Sequence, residues 1–258
     1  MLAVTFLGTG TSMGVPVILC ECRVCHSPDP RDHRWRSSVY LQTPTASWVI
    51  DTGAEFRLQA LRAGIEELDA VIYTHAHADH VVGFDDLRRY SSANRDCMPI
   101  FASSTTLAHL DRMFRYAFSG EAKFPGYVQP QAHAIDGPFW LGENEIVPIP
   151  VEHGNVHTFG FLVRTAKGSV FAYISDCKIV PEEGIERLRG VDTLVLGTPL
   201  WRSHFSHLSL EEGIALSAKI EPRRTIFTHL SHDFLHAETE KLLPPGCSLA
   251  YDGLELQL

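Results

Sequence analysis

Between Tyr73 and Gly83 the chain reads YTHAHADHVVG, which places His75, His77, Asp79 and His80 within six residues. A buried polar atom needs a partner to offset its lost hydration, so four such groups crowded together are poor material for an apolar core. A metal ion satisfies them together. The run AVIYTH that leads into them is β-branched and aromatic and reads as a strand. Continued in extended form, it sends His75 and His77 to one side, where both can grip a single ion. The turn that follows aims Asp79 and His80 at a second one. Four side chains cannot fill two coordination shells, so the fold has to gather more ligands from distant segments onto a common rim.

Three later strand ends meet that requirement. EIVPIPVEH ends at His153, SVFAYISD at Asp176 and RRTIFTH at His229. The expected arrangement gives one ion His75, His77 and His153, gives the other Asp79, His80 and His229, and bridges the two with Asp176. Two metals roughly 3.5–4 Å apart can clamp the attacking and leaving oxygens of a hydrolysis. Nitrogen and oxygen donors admit zinc, manganese or iron, and two divalent ions, zinc or manganese, are the expected cofactors. Structural capping of strand ends would leave seven ligand-type side chains at matching positions unexplained. Asp51, which ends VIDTG, suits the task of holding a ligand imidazole in its metal-binding tautomer; a turn-forming Asp before Thr-Gly is the competing reading.

Strands and helices alternate through the rest of the chain. AVTFLGT, SVYLQT, SWVIDT, FGFLVRT and DTLVLGT read as strands, and AEFRLQALRAG, PEEGIERLRG and SLEEGIALSAK as helices. Two halves of similar make-up with no linker point to a single domain over residues 1–258, built of two sheets with helices outside. The apolar runs are strand-sized, and MLAVTFLG lacks the basic and long apolar regions of a signal peptide. We therefore expect neither a membrane span nor export, and a cytoplasmic location. A formal net charge of −9 disfavours a long nucleic acid as partner. Of six cysteines, Cys20, Cys22 and Cys25 crowd together, which in a reducing compartment reads as thiolate ligation. Cys97, Cys177 and Cys247 stand alone and read as packing residues.

H-x-H-x-D-H followed by a distant His, an Asp and another His resembles the ligand series of the metallo-β-lactamase superfamily, matched here by His75, His77, Asp79, His80, His153, Asp176 and His229. Gly8-Thr9-Gly10, Gly14-Val15-Pro16, the C-x-C-x-x-C cluster and THLSH make the chain most similar to the cyclic phosphodiesterases of the carbon–phosphorus lyase pathway. The likeness runs from about Phe6 to Gly253. It implies an α/β fold, an αββα four-layer sandwich of two mixed sheets flanked by helices, with a dinuclear site at one edge. It also names His232 as fourth ligand of a structural zinc with Cys20, Cys22 and Cys25, in a loop spanning residues 20–25. Leu19 departs from the pattern, which has Gly before the first Cys.

By position His207 matches the family's proton donor to the leaving group, with His204 as a neighbouring alternative. Ser209 and Glu212 form a capping box for the helix that follows. Asp79 and His207 are the catalytic candidates. Arg31, Arg34 and Arg36 carry forked donors that suit a phosphate monoester, so Arg34 and Arg36, with His204, are the candidate substrate contacts. GTGTSMG lacks the Lys-Ser/Thr of a P-loop and reads as a turn lining the pocket. The expected function is hydrolysis of a small cyclic phosphodiester such as 5-phosphoribosyl 1,2-cyclic phosphate. The expected partner is a small phosphorylated substrate, with no membrane, and a homodimer is the assembly considered. The rival readings are a tRNA 3′-processing nuclease, a thioesterase or lactamase, and a metal-dependent binding module without turnover. The nuclease usually carries a basic Gly/Pro-rich arm, which this acidic sequence lacks.

Overall fold

The structure, a computed structural model, describes residues 1–93, 97–119 and 126–258. Its strands are β1 (Ala3–Gly8), β2 (Ser38–Thr43), β3 (Ala46–Ile50), β4 (Ala70–Ile72), β5 (Met98–Ala102), β6 (Pro130–Ala134), β7 (Phe139–Leu141), β8 (Asn144–His153), β9 (Val156–Thr165), β10 (Gly168–Ile174), β11 (Thr193–Gly197), β12 (Arg224–Thr228), β13 (Cys247–Leu249) and β14 (Glu255–Gln257). Its α-helices are α1 (Phe56–Ala63), α2 (Ala78–Val81), α3 (Arg88–Ala93), α4 (Ser104–Met113), α5 (Arg115–Phe118), α6 (Glu182–Leu188), α7 (Leu210–Ile220) and α8 (His236–Thr239). Among the described residues the strands form two seven-stranded sheets, β14-β1-β2-β3-β4-β5-β6 and β13-β12-β11-β10-β9-β8-β7. Each mixes parallel and antiparallel pairs.

Side-chain alternation explains the layering. On β3, Trp48 and Ile50 enter the core between the sheets, while Val49 points the other way, into the layer containing Phe56, Leu87 and Leu110. On β11, Val195 faces the first core and Leu194 and Leu196 face Ile185 and Leu216 of the outer helices. Both faces of these strands are covered, so they read as continuous apolar runs. Each fully buried side chain of this kind contributes roughly 1.5–3 kcal/mol. The architecture is the expected αββα sandwich.

Local signals act where they were read. Gly64 closes α1 in the left-handed region, its amide reaching the carbonyls of Ala60 and Leu61. Ser209 and Glu212 form the capping box that opens α7. Pro148 and Pro150 lie in β8 beyond the stretch that β7 covers, where a missing outward N–H breaks no ladder. β4 is shorter than AVIYTH suggests; the chain leaves the sheet after Ile72 and stays extended at His77 before α2 begins. No helix among the described residues is long and apolar enough to cross a membrane.

The ends of β3, β4, β8, β10 and β12 converge at one edge of the sandwich. Two glycines permit the closeness. A Cβ on Gly53 would come within 2.4 Å of the Asp79 carbonyl oxygen, and one on Gly197 within 1.7 Å of the Ser175 carbonyl oxygen, just before Asp176.

Candidate metal centre

Seven side chains gather at that edge in two sets. In the first, His77 Nδ1 lies 2.9 Å from His75 Nε2 and 3.4 Å from His153 Nε2. In the second, His80 Nε2 lies 3.2 Å from Asp79 Oδ2 and 3.3 Å from Asp176 Oδ2. The other oxygen of Asp176 lies 3.2 Å from His229 Nε2 and 4.0 Å from His153 Nε2. Ligands at 2.0–2.1 Å around a tetrahedral ion stand about 3.3 Å apart, so these spacings suit two ions held by one bridging carboxylate. The Nε2 of His80 and Oδ2 of Asp176 are buried without a hydrogen-bond partner. Such orphaned atoms are costly unless a cation meets them.

The outer nitrogens fix the tautomers. His80 Nδ1–H donates to Asp51 Oδ2 at 2.7 Å. Thr74 Oγ1 donates to the same oxygen at 2.8 Å and so accepts from His75 Nδ1–H at 2.9 Å. Ser37 Oγ donates to the Gly10 carbonyl and accepts from His229 Nδ1–H at 3.0 Å. His153 Nδ1–H donates to the Ser206 carbonyl at 2.9 Å. Four imidazoles therefore present bare Nε2 atoms inward, and the partners of metal-binding histidines orient ligands in this way. Asp51 takes the supporting position considered for it. Thr74, Ser37 and Ser206 were not singled out from the sequence. Thr74 adjoins His75, but nothing local marks Ser37.

Charge in the site is lopsided. Burial pushes His75, His77 and His229 below the ordinary histidine value, which keeps them neutral as ligands must be. Burial also opposes charge on His80, but Asp176, Asp51 and Asp79 outweigh it and hold the imidazole well above that value. Asp79 and Asp176 are depressed despite their burial, by His80 and by His229 with His80 respectively. The carboxylates around His80 call for positive charge, and a divalent cation supplies it.

A second cluster stands apart from the first. His232 Nδ1 lies 3.1, 3.6 and 3.7 Å from the sulfurs of Cys20, Cys22 and Cys25. For Zn–S of 2.3 Å and Zn–N near 2.05 Å, tetrahedral geometry puts S and N about 3.6 Å apart. The Cys25 amide, bonded to Cys22 Sγ, draws that thiol below its usual value, while burial pushes the Cys25 thiol up. Leu19, beside Cys20, has φ 62° and is 98% exposed, so the backbone adopts the left-handed turn that a glycine would take.

Arg34 requires a correction. Arg34 does not reach a substrate: it is buried, and its guanidinium donates to the carbonyls of Ser231 (2.9 Å) and Phe234 (2.7 Å) and to Asp32 (3.1 Å). Asp32 also accepts the His236 amide at 2.7 Å. Arg34 thus clamps the loop carrying His232. Arg31 is bonded to Asp29, and Arg36 is paired with Glu55 and donates to the Ser12 carbonyl. Part of each fork is thus taken up within the protein, Nε and Nη2 of Arg31 and Nε and Nη1 of Arg36.

His207 lies beside the dinuclear set, with Nδ1 3.7 Å from Asp176 Oδ1 and its ring stacked on His229 at 5.3 Å between centroids. Its Nδ1 is buried without a hydrogen-bond partner. Burial and the neighbouring His229 lower its pKa to about 3. His204 lies farther out, its ring 5.5 Å from that of His207 and its Nδ1 within 3.3 Å of the Ser206 amide.

Residues 47–230 match the beta-lactamase superfamily domain. A crystal structure described as a new diphosphatase from the PhnP family superposes with a TM-score of 0.91 at 38% identity, covering 100% of this chain and 98% of that one. An octanoyltransferase of Porphyromonas gingivalis is 35% identical over 96% of this chain, but the chain spans only 50% of that protein's length. The coenzyme PQQ synthesis protein B of Methylorubrum extorquens is 27% identical over 99% of both chains. With two mixed sheets, clustered His and Asp ligands at one edge and these relatives, the chain belongs to the metallo-β-lactamase superfamily, as a hydrolase akin to the PhnP family.

Proposed function

We propose that the chain hydrolyses a small phosphodiester, with a ribose cyclic phosphate as first candidate. The observation that carries this is the pair of ligand sets sharing Asp176, with the unpartnered Nδ1 of His207 3.7 Å from the shared carboxylate. Zinc or manganese fits the nitrogen and oxygen donors, and zinc fits the thiolate cluster. When bound, the two cations supply Lewis acidity and activate water for attack.

The chain's own groups do the rest. Asp176 stands between the two ligand sets, with Oδ2 beside His80 and Oδ1 beside His229 and, at 4.0 Å, His153. Asp51, Thr74, Ser37 and the Ser206 carbonyl keep the imidazoles aimed inward. His207 is the proton carrier for the leaving oxygen: at a pKa of about 3 it is neutral in the free protein, and an anionic substrate beside it raises its proton affinity. The PhnP-family diphosphatase supports a second reading on the same site, cleavage of a phosphoanhydride.

A substrate panel on protein of measured metal content tests both. It should contain a ribose cyclic phosphate, a linear phosphodiester, a diphosphate ester, a thioester and a β-lactam. Turnover confined to the phosphorus compounds is expected, and the preferred one chooses between the readings. Turnover of the thioester or lactam alone, or tight ligand retention without any turnover, would overturn the proposal.

A further inference from the structure

Glu212 makes more bonds than a capping box needs. The box is the exchange with Ser209, whose amide donates to Glu212 Oε2 at 2.8 Å and whose hydroxyl accepts the Glu212 amide at 3.2 Å. Beyond that exchange, Glu212 Oε1 accepts from Ser203 Oγ at 2.8 Å. Lys178 Nζ donates to both carboxylate oxygens at 2.8 Å and to Ser203 Oγ at 3.0 Å. Burial opposes the charge on Glu212, but these donors outweigh it and hold the carboxyl at about 2. A lone ion pair near the surface contributes little, whereas a carboxylate shared among three donors forms a network.

The network joins the stretches that carry the site. Ser203 and Ser209 lie on either side of His204 and His207, so one carboxylate holds both ends of that loop. Lys178 follows Asp176 by two residues, and its amide donates at 2.6 Å to the carbonyl of Glu152, the neighbour of His153. The Leu208 amide reaches the Cys177 carbonyl at 2.9 Å, so the loop and the stretch after Asp176 meet twice. His207 has no hydrogen bond at Nδ1, and its ring stands 4.6 Å from that of His153 and 5.3 Å from that of His229. Its place 3.7 Å from the shared carboxylate is therefore set by what fastens the loop.

Resting on the assignment of His207 as proton carrier, we propose that Glu212 is a positioning residue. With Lys178 it clasps the two ends of residues 203–209 and so fixes the distance of the His207 imidazole from Asp176. The carboxylate that caps α7 thereby also sets the geometry of proton delivery to the leaving oxygen. A proton carrier displaced by about 1 Å can lose a hundredfold in rate, so a clasp outside the site can govern the chemistry within it.

Leaving-group selectivity distinguishes this role from helix capping. On metal-loaded protein, Glu212→Ala should lower kcat/KM for a ribose cyclic phosphate about tenfold to a hundredfold and that for a nitrophenyl phosphodiester less than about threefold, with metal content unchanged. In a His207→Ala background the same substitution should cost less than about twofold, because the group it positions is gone. Lys178→Met opens the clasp but leaves the exchange with Ser209 intact. It should show the same selectivity, and it carries the test should Glu212→Ala fail to fold. Equal losses on the two substrates, or losses that persist in the His207→Ala background, would reduce Glu212 to a helix cap and leave the phosphodiester reading standing. If His207→Ala itself fails to separate the two substrates, the proton-carrier assignment fails and the positioning role with it.

Discussion

Asp51 holds His80 through a 2.7 Å bond from Nδ1 to Oδ2 while its own backbone sits at φ 65°, outside the region that most side chains tolerate. The same carboxylate accepts the amide and hydroxyl of Thr74, each at 2.8 Å. A left-handed turn and three hydrogen bonds are thus concentrated in one buried residue behind the ligands, which holds that edge of the site rigid.

Asp51→Asn tests this support with little backbone disturbance, since asparagine tolerates positive φ. It leaves His80 and Thr74 competing for one neutral acceptor. Metal affinity at the dinuclear site should fall 10–100-fold, read by competition with a chelator. Unchanged affinity would reduce Asp51 to a turn residue.

Cys22→Ser should lose one zinc equivalent by elemental analysis, with catalytic turnover falling indirectly because His229 and His232 share a loop. A variant that kept its full complement of zinc would remove the cysteine cluster as a metal site.

His207→Ala should retain both dinuclear metals. Its activity should drop by a factor on the order of 10²–10⁴ toward a ribose cyclic phosphate, whose alkoxide needs a proton to leave, and much less toward a nitrophenyl phosphodiester. Comparing kcat/KM for the two substrates decides the matter. Equal losses would make His207 a phosphate-positioning group, and no loss would pass the role to His204 or to water.

Asp252 offers a pH effect away from the metals. Its carboxylate accepts from Thr9 Oγ1 at 2.7 Å and from the Trp35 amide at 2.8 Å, but burial outweighs these bonds and raises its pKa to about 6. The folded chain therefore holds this proton more tightly than the unfolded chain does. Its contribution to stability is complete below about pH 4 and lost as pH rises through about 6, at a cost on the order of 3 kcal/mol. Relative to wild type, Asp252→Asn should gain stability across that window in urea titrations. A difference independent of pH would show that the carboxyl titrates normally.

Leu19→Gly should stabilise the chain by about 1 kcal/mol or less, because an exposed leucine in the left-handed region gives up conformational energy that glycine does not. The shift in urea midpoint measures it.

Much of the site was legible because ligand chemistry is local in sequence even when its geometry is not. His75, His77, Asp79 and His80 announce themselves by spacing, and His153, Asp176 and His229 by following apolar strands. The sheets were legible for the same reason, through runs such as SWVIDT and DTLVLGT. What escaped is whatever depends on a partner far along the chain. Arg34 looks like a phosphate anchor until the carbonyls of Ser231 and Phe234 are seen around it, 197 and 200 residues away. Ser37 has no distinguishing neighbours, and only the fold brings it to His229. The short strands β5, β6, β7, β13 and β14 lack a long apolar alternation and were not read.

The pairing of β14 with β1 and of Cys20 with His232 bears on how the protein matures. A nascent chain that has emerged only as far as Asp176 holds the three clustered thiols and most of the inward-facing imidazoles, but neither His229 nor His232. The last members of the two clusters, His229 and His232, lie in one loop and emerge together after all the others. If the two clusters take metal, neither set of ligands is closed before that loop has left the ribosome, so selection between ions by the finished geometry would come only after both histidines are in place.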